Sequence, residues 1–381
     1  MTHPEVIVIG AGVIGAACAL ELAKSGLKVL VIDRGAIASG TTGAGEGNIL
    51  VSDKEIGPEL TLALRSREKW FEISEEIGGG FELEAKGGIV VAKTSAGSAE
   101  LRSLTLRQSM AGVQAEALDS SALRKAEPYL SPQFENGFYY SQDAQCQPML
   151  AAALMLRRMR SLGGEVLSHT KVIAIETDAK GVQSVVTAGK TFPCRTVVNA
   201  GGTWAGEIAA LAGAKLPISP RRGFILVTQA APKLVRHKVY DAGYVSNVAS
   251  GEEGLQSSAV VESTQSGTIL IGASRERIGF DRSLNISILR TLAAQAIELF
   301  PVLAKMQLLR SYYGFRPYAP DHLPVIGEDP VINGLWHCAG HEGAGIGLAP
   351  GSAEIVASQI VDGSTFMDAV PFSPSRFAGA N

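Results

Sequence analysis

Residues 10 to 15 read Gly-Ala-Gly-Val-Ile-Gly, and Asp33 follows at a distance, with Arg34 beside it. Each glycine has its own task at this spacing. Gly10 allows a tight turn, Gly12 lets the backbone touch a pyrophosphate, and Gly15 lets the next helix pack closely on its strand. The amides that open the helix, at Val13 and Ile14, supply an anion site. The Asp33 carboxylate can accept hydrogen bonds from ribose hydroxyls, and its charge repels a 2′-phosphate. The pattern is that of a dinucleotide site that disfavours NADP.

Three further stretches carry residue types suited to a bound ligand. Residues 39–48 form a long small-residue loop, in which Thr41, Thr42, Gly45, Glu46, Gly47 and Asn48 stand close enough to the nucleotide to wrap it. Val197-Val198-Asn199-Ala200 runs into Gly201-Gly202 and then Trp204, a turn at a strand end of the kind where an open α/β sheet meets its ligand. Near the C-terminus, Gly314-Phe315-Arg316-Pro317 precedes a second small-residue turn at 340–347, which opens a helix. That helix start is another place suited to negative charge. Arg316 offers a guanidinium fork that grips a carboxylate at two points.

These residues need elements to hold them. Residues 6–9 read as a buried parallel strand, 16–23 as a helix ended by Gly26, and 28–32 as a second strand, which together make a complete βαβ unit. Helices are expected at 60–77, at 97–126 with a loop at Leu118-Asp119, and at 149–162, 284–300 and 352–361. Strands are expected at 87–91, 138–141, 165–168, 171–176 and 196–200, and an antiparallel set at 223–229, 258–262 and 268–273.

Composition limits the alternatives. The 381 residues include 43 glycines and 17 prolines, with a hydrophobic fraction of 46%, which suits a packed α/β protein. Charged residues make up only 19%, too few for a disordered chain, and a net charge of −3 gives no footprint for nucleic acid. No run reaches the roughly 18 apolar residues of a membrane span, and no basic leader precedes the first strand. Cys18, Cys146, Cys194 and Cys338 are too scattered for a metal or iron–sulfur site, and the expected location is the reducing cytoplasm.

With these markers in this order, the chain resembles the D-amino-acid-oxidase family of flavoproteins. That family includes glycine and sarcosine oxidases, D-amino-acid dehydrogenases, and the β-type subunits of heteromeric opine, proline and hydroxyproline dehydrogenases. The resemblance implies an α/β fold with an α+β substrate part. A Rossmann-type FAD-binding domain would comprise 1–85, 145–220 and 308–381, and an inserted antiparallel-sheet substrate domain 86–144 and 221–307. Non-covalent FAD would be held by the glycine turn and Asp33, by Val172 at the adenine, and by Ala200, Gly201, Trp204 and Gly314. Gly340, His341, Glu342, Gly343, Ala344, Gly345 and Ile346 would line the flavin ring, with the 46–49 loop reaching it. The family usually carries Glu where this chain has Asp33.

Arg316 matches the arginine that pairs with the substrate carboxylate, and Arg222 lies in a stretch similar to the entry into the substrate domain. His341 is the other catalytic candidate, through backbone geometry near the flavin more than as a base. The implied reaction is oxidation of the C–N bond of an amino acid or N-substituted amino acid (opine, proline, hydroxyproline, sarcosine or glycine). Hydride goes to flavin N5, and the imine product hydrolyses. Leu270 stands where monomeric sarcosine oxidases have an oxygen-activating lysine, and the 41–48 loop is most similar to the β-type subunits. The expectation is therefore the catalytic subunit of a heteromeric dehydrogenase with redox partner subunits, an FMN at their interface being left open. A stand-alone glycine- or sarcosine-type oxidase releasing hydrogen peroxide is one alternative, and a flavin-bearing assembly subunit without its own activity is another.

Overall fold

A computed structural model describes residues 3–243 and 253–378. The expected substrate segment includes 244–252, and the N- and C-terminal segments include 1–2 and 379–381; these stretches lie outside the described residues. Short runs of β-branched and aliphatic residues form the centre of the first sheet, where Val6–Ile9 and Val29–Ile32 are buried on both faces and pair in parallel. The full order is Val325–Glu328, Leu335–Ala339, Thr196–Asn199, Val6–Ile9, Val29–Ile32 and Glu165–Leu167. Only the first pair is antiparallel.

The helix Val13–Lys24 crosses between the two central strands. Its Ala16, Ala17, Cys18 and Ala19 are fully buried, and their small size lets Pro148–Ser161 and Gly345–Val361 lie alongside it. On the other face, three short antiparallel strands (Val172–Asp178, Gly181–Thr187 and Thr191–Pro193) close a second core around Ile7, Ile9 and Val185.

The second sheet has eight strands, in the order Leu308–Tyr318, Ser219–Thr228, Ile269–Arg275, Gln256–Ser263, Lys238–Asp241, Gly88–Val91, Asn136–Tyr140 and Ala115–Asp119. Neighbours are antiparallel except Lys238–Asp241 beside Gly88–Val91. Along Ser219–Thr228 the side chains alternate. Phe224 and Leu226 join the core under the helix Ile286–Leu299, while Gly223 and Ile225 border a cavity between the sheets. This is the expected α/β fold with an antiparallel-sheet substrate part.

Three local expectations change. The stretch at 97–126 is not one helical region, because Gly112 at φ +94° ends Ser95–Met110 and Ala115–Asp119 pairs with Asn136–Tyr140 as an edge strand. Leu308–Tyr318, expected with the nucleotide-binding segments, pairs along its length with Ser219–Thr228 and belongs to the eight-stranded sheet. The last helix begins at Gly345 instead of 352 and runs through Pro350. A proline there leaves the Ile346 carbonyl without its helical donor, and Trp70 Nε1 donates to that oxygen at 3.0 Å instead. Ser66 Oγ completes the repair by donating to Gly347 O at 2.6 Å and accepting from Gly351 N at 3.0 Å.

No described helix is long and apolar enough to cross a membrane. All four cysteines are buried and unpaired.

The sheets are tied by a buried polar network. The Asp143 carboxylate accepts the Val51 and Ser52 amides at 2.9 and 3.2 Å and the Ser52 hydroxyl, and Ser52 also meets the Tyr240 hydroxyl. Burial pushes the Asp143 carboxyl up to about 6, the Ser52 and Val51 donors only partly opposing it. A carboxyl raised in the folded state binds its proton more tightly there than in the unfolded chain. Its contribution therefore favours folding at low pH and is lost as pH rises through about 6. Asp143→Asn removes that dependence. In urea unfolding, the stability gap between the native protein and Asp143→Asn should move by about 2 kcal/mol in the variant's favour between pH 4 and pH 7. A gap that stays fixed would contradict the burial argument.

Candidate active site

The cavity between the sheets measures about 580 Å³, within the range of small-molecule and cofactor sites. Its floor is the glycine turn. Gly10 sits at φ +119°, and a Cβ there would overlap the Ala200 carbonyl, so only glycine allows the two strand ends to meet. Gly12 caps the helix without a side chain, and Thr42 Oγ1 accepts the Val13 amide at 2.9 Å. Gly10, Gly12, Val13, Ile14, Ala200 and Gly201 all border the cavity. Asp33 borders it too, but accepts the Ala11 amide at 2.6 Å through Oδ2 and the Gly35 amide at 2.7 Å through Oδ1. Its first role is thus to brace the turn.

Val172 marks one end of the cavity, with Thr170, Lys171 and Ile173 around it and Glu207, Ile208 and Leu211 opposite. None of these neighbours was singled out by the sequence, because ordinary strand and helix residues carry no spacing signal. Arg34 lies over the Trp204 ring at 4.3 Å, and that ring stacks on Phe280 at 5.5 Å between centroids. Phe280 and the nearby Arg282, which also borders the cavity, come from a turn that sequence reasoning missed.

The other end holds Arg316. Its neighbour Phe315 is pinned through its carbonyl, which accepts from Thr41 Oγ1 at 2.8 Å and Thr203 Oγ1 at 2.6 Å. Gly314 rests against Ala44, and Arg316 Nη1 donates to Ser274 O at 2.8 Å. A Cβ at Gly223, on the facing strand, would overlap that guanidinium. Arg222 is buried but points the other way, pairing with Glu276 at 2.8 Å and Asp281 at 3.2 Å. It takes no part in the cavity.

Thr41, Thr42, Gly45, Glu46 and Asn48 bring the 39–48 loop onto the same wall, and His341, Glu342, Gly343, Gly345 and Ile346 bring the last turn. Gly15, Gly47, Gly340 and Ala344 do not border the cavity. Gly15 abuts the Gly10 carbonyl and Gly47 the Cys146 carbonyl, Gly340 lies under Ile218, and Ala344 packs on the main core. These four serve packing.

The titratable groups differ sharply. His341 is buried, its Nε2 2.9 Å from Ser352 Oγ, and burial lowers it to about 3, so the ring is neutral at ordinary pH and a poor proton acceptor. Burial pushes the Glu342 carboxyl up, but the His322 hydrogen bond at 2.9 Å and the Arg221 guanidinium outweigh it and hold the group below its usual value. Glu342 also adopts φ +47°, a left-handed conformation uncommon for a non-glycine residue. Glu46 goes the opposite way. Burial raises it, Glu262 adds to the effect, and Lys238, Arg316 and the Asn48 hydrogen bond only partly offset it.

The family model described as "DAO: FAD dependent oxidoreductase" matches residues 5–359. The glycine oxidase of Geobacillus kaustophilus is 31% identical over 100% of this chain and 99% of its own. The hydrogen cyanide synthase subunit HcnC of Pseudomonas aeruginosa is 28% identical over 98% and 96%. The crystal structure of the L-proline dehydrogenase of P. horikoshii matches with a TM-score of 0.90 and 25% identity, over 100% of this chain and 99% of that one.

The Gly10 turn borders the cavity where the glycine pattern leads one to expect a dinucleotide's phosphates, so its tolerance is a direct test. Gly10→Ala places a side chain against the Ala200 carbonyl in a backbone region that alanine avoids. It should weaken FAD retention by about tenfold or more, read as the ratio of flavin to protein absorbance after purification. Full retention would show that the turn does not bear on the cofactor.

Proposed function

The chain belongs to the DAO family of FAD-dependent oxidoreductases, and on that premise we propose that it oxidises the C–N bond of a small amino acid on its own, in the manner of a glycine oxidase. The observation that carries this reading is the position of Arg316, a guanidinium on the wall of the same cavity that begins at the Gly10 turn. The residues present fit FAD: a glycine cradle that a Cβ would fill, a helix start beside it, and a cavity continuous from Val172 to Arg316. Gly10, Gly12, Val13 and Ile14 would hold its phosphates, Val172 its adenine, and Gly343, Gly345 and Ile346 its ring. When bound there, FAD supplies the acceptor for hydride from the carbon next to nitrogen.

The chain's own residues do the positioning. Arg316 takes the substrate carboxylate, and Ser274 and Gly223 fix the direction of its guanidinium. Neutral His341 shapes the turn without exchanging a proton. The FAD-binding part is taken as 1–85, 145–220 and 319–381 and the substrate part as 86–144 and 221–318, with the edge strand moved to the sheet it pairs with. Four buried free thiols suit the reducing cytoplasm.

The named relatives support the stand-alone amino-acid oxidase better than the dehydrogenase subunit expected from the 41–48 loop. An opine substrate and an interfacial FMN draw no support from them. The heteromeric reading stays second because Leu270 stands on the strand Ile269–Arg275 where an oxygen-activating lysine was sought, and because one relative is named as a subunit.

The purified chain should be yellow and should bleach anaerobically with glycine, sarcosine or proline, then release peroxide stoichiometrically when air is admitted. Bleaching without peroxide would move the conclusion to the dehydrogenase subunit. Arg316→Lys keeps the charge but loses the fork, and should lower kcat/KM about 100-fold, mainly through KM. An unchanged KM would remove Arg316 from the substrate site.

A further inference from the structure

Residues 277–284 leave the eight-stranded sheet after Ile269–Arg275 and touch the turn that follows Thr196–Asn199 in the other sheet. The Phe280 ring stacks on Trp204 at 5.5 Å between centroids and meets Phe315 edge-on at 5.2 Å. Two residues further on, Arg282 borders the cavity that begins at the Gly10 turn. Trp204 stands at the dinucleotide end of that cavity. Its ring touches Gly40 and carries Arg34, the residue after the Asp33 that braces the Gly10 turn. The 277–284 turn therefore brings a cation from one sheet to the glycine turn of the other.

Buried Arg222 fastens this turn from beneath. Its Nε and Nη2 reach Glu276 at 2.8 Å, and its Nη1 donates to Asp281 O at 3.0 Å and Ser283 O at 2.9 Å. The Asp281 carboxylate pairs with the same guanidinium at 3.2 Å and accepts the Ser283 amide and hydroxyl, each at 2.8 Å. Both chain neighbours of Arg282 are thus tied down, and the one acid beside it is engaged elsewhere. Arg282 itself has no ion-pair or hydrogen-bond partner among the described residues. An unpaired guanidinium on a fastened turn, at a cavity wall, is suited to a ligand's anion.

Among the described residues, four cations border the cavity: Arg34, Lys171, Arg282 and Arg316. Arg316 serves the far end, where its Nη1 is set by Ser274 O, Lys171 adjoins Val172, and Arg34 lies over the Trp204 ring. Glu207 borders the cavity as well and comes within ion-pair distance of none of them. A dinucleotide brings one strongly anionic group, its diphosphate, and the Gly10 turn offers that group amides but no cation. We propose that the 277–284 turn completes the cofactor site from the opposite sheet, with Arg282 taking the diphosphate and Phe280 fastening the turn to Trp204. This rests on the FAD reading above and deepens it. A cofactor gripped from both sheets leaves only after Phe280 has parted from Trp204. The carboxylate of an incoming substrate is the other anion this cavity would admit, and Arg316 already answers it.

The test starts from the holoenzyme and needs no turnover. Diluting it and reading the fluorescence of released flavin gives the FAD dissociation constant. Arg282→Gln should raise that constant about tenfold at about 0.05 M NaCl, and the gap to the native protein should close as salt approaches about 0.5 M. Arg282→Lys keeps the charge without the fork and should fall between the two. Phe280→Ala, which unfastens the turn, should speed FAD release about threefold or more. Native affinity in Arg282→Gln overturns the proposal. So does a loss of affinity equal at every salt concentration, because a structural defect is not screened. Native affinity with a raised KM for glycine also overturns it, and gives Arg282 to the substrate carboxylate. Native release in Phe280→Ala overturns the fastening. The reading beneath fails differently: the native chain and every variant would bind no FAD at all.

Discussion

Everything at the site depends on where residues 41–52 are held. The segment leaves the nucleotide sheet and caps the first helix through Thr42. It then passes Gly272 of the other sheet, pairs as Asn48–Ile49 with Ala144–Gln145, and ends with two amides on Asp143. Each attachment lies on a different element, so the segment is positioned by both sheets at once. Without the Asp143 carboxylate, two buried amides and the Ser52 hydroxyl would lose their common acceptor. The cavity is then a consequence of this crossing, since both of its long walls are built against the segment.

The charge arrangement follows the same geometry. Two carboxylates, Glu46 and Glu342, come to one cavity from opposite ends of the chain, and their environments push them apart. Glu342 receives donors from Arg221 and His322 and stays ionised. Glu46 receives one amide hydrogen and a remote lysine, and burial dominates.

How much of this was legible in the sequence depended on range. The Gly10 to Gly15 turn is local, its strand, helix and acidic end lie within thirty residues, and its reading survives almost intact. Arg316 was singled out by the resemblance, which matches it to an arginine that pairs with a substrate carboxylate, and the structure puts it on the cavity wall. Asp33 was only half read. Its proximity to the turn was clear, but the Ala11 and Gly35 amides that occupy its oxygens depend on how the backbone closes. Leu308–Tyr318 was grouped with the nucleotide-binding segments, and its pairing with Ser219–Thr228 was not legible because strand pairing is not written locally. Glu46 was seen as a loop residue near a ring. Its burial against Gly272, more than two hundred residues away, is something no spacing rule could have shown.

Pro350 has an effect that reaches beyond its own helix. Because it cannot donate, the Ile346 carbonyl is claimed by Trp70, and Ser66 bridges the next carbonyl and amide, Gly347 O and Gly351 N; both residues lie on Pro58–Ile77. The two helices are thereby keyed, like a tooth in a notch: sliding one past the other by a single residue would strand both carbonyls and the Gly351 amide. Ordinary apolar packing tolerates small slippage, whereas this joint admits one register only. The Gly343–Gly345 turn at the tip of the keyed helix is therefore indexed against the rest of the molecule, and its depth in the cavity is fixed by a serine and a tryptophan that never touch the ligand space.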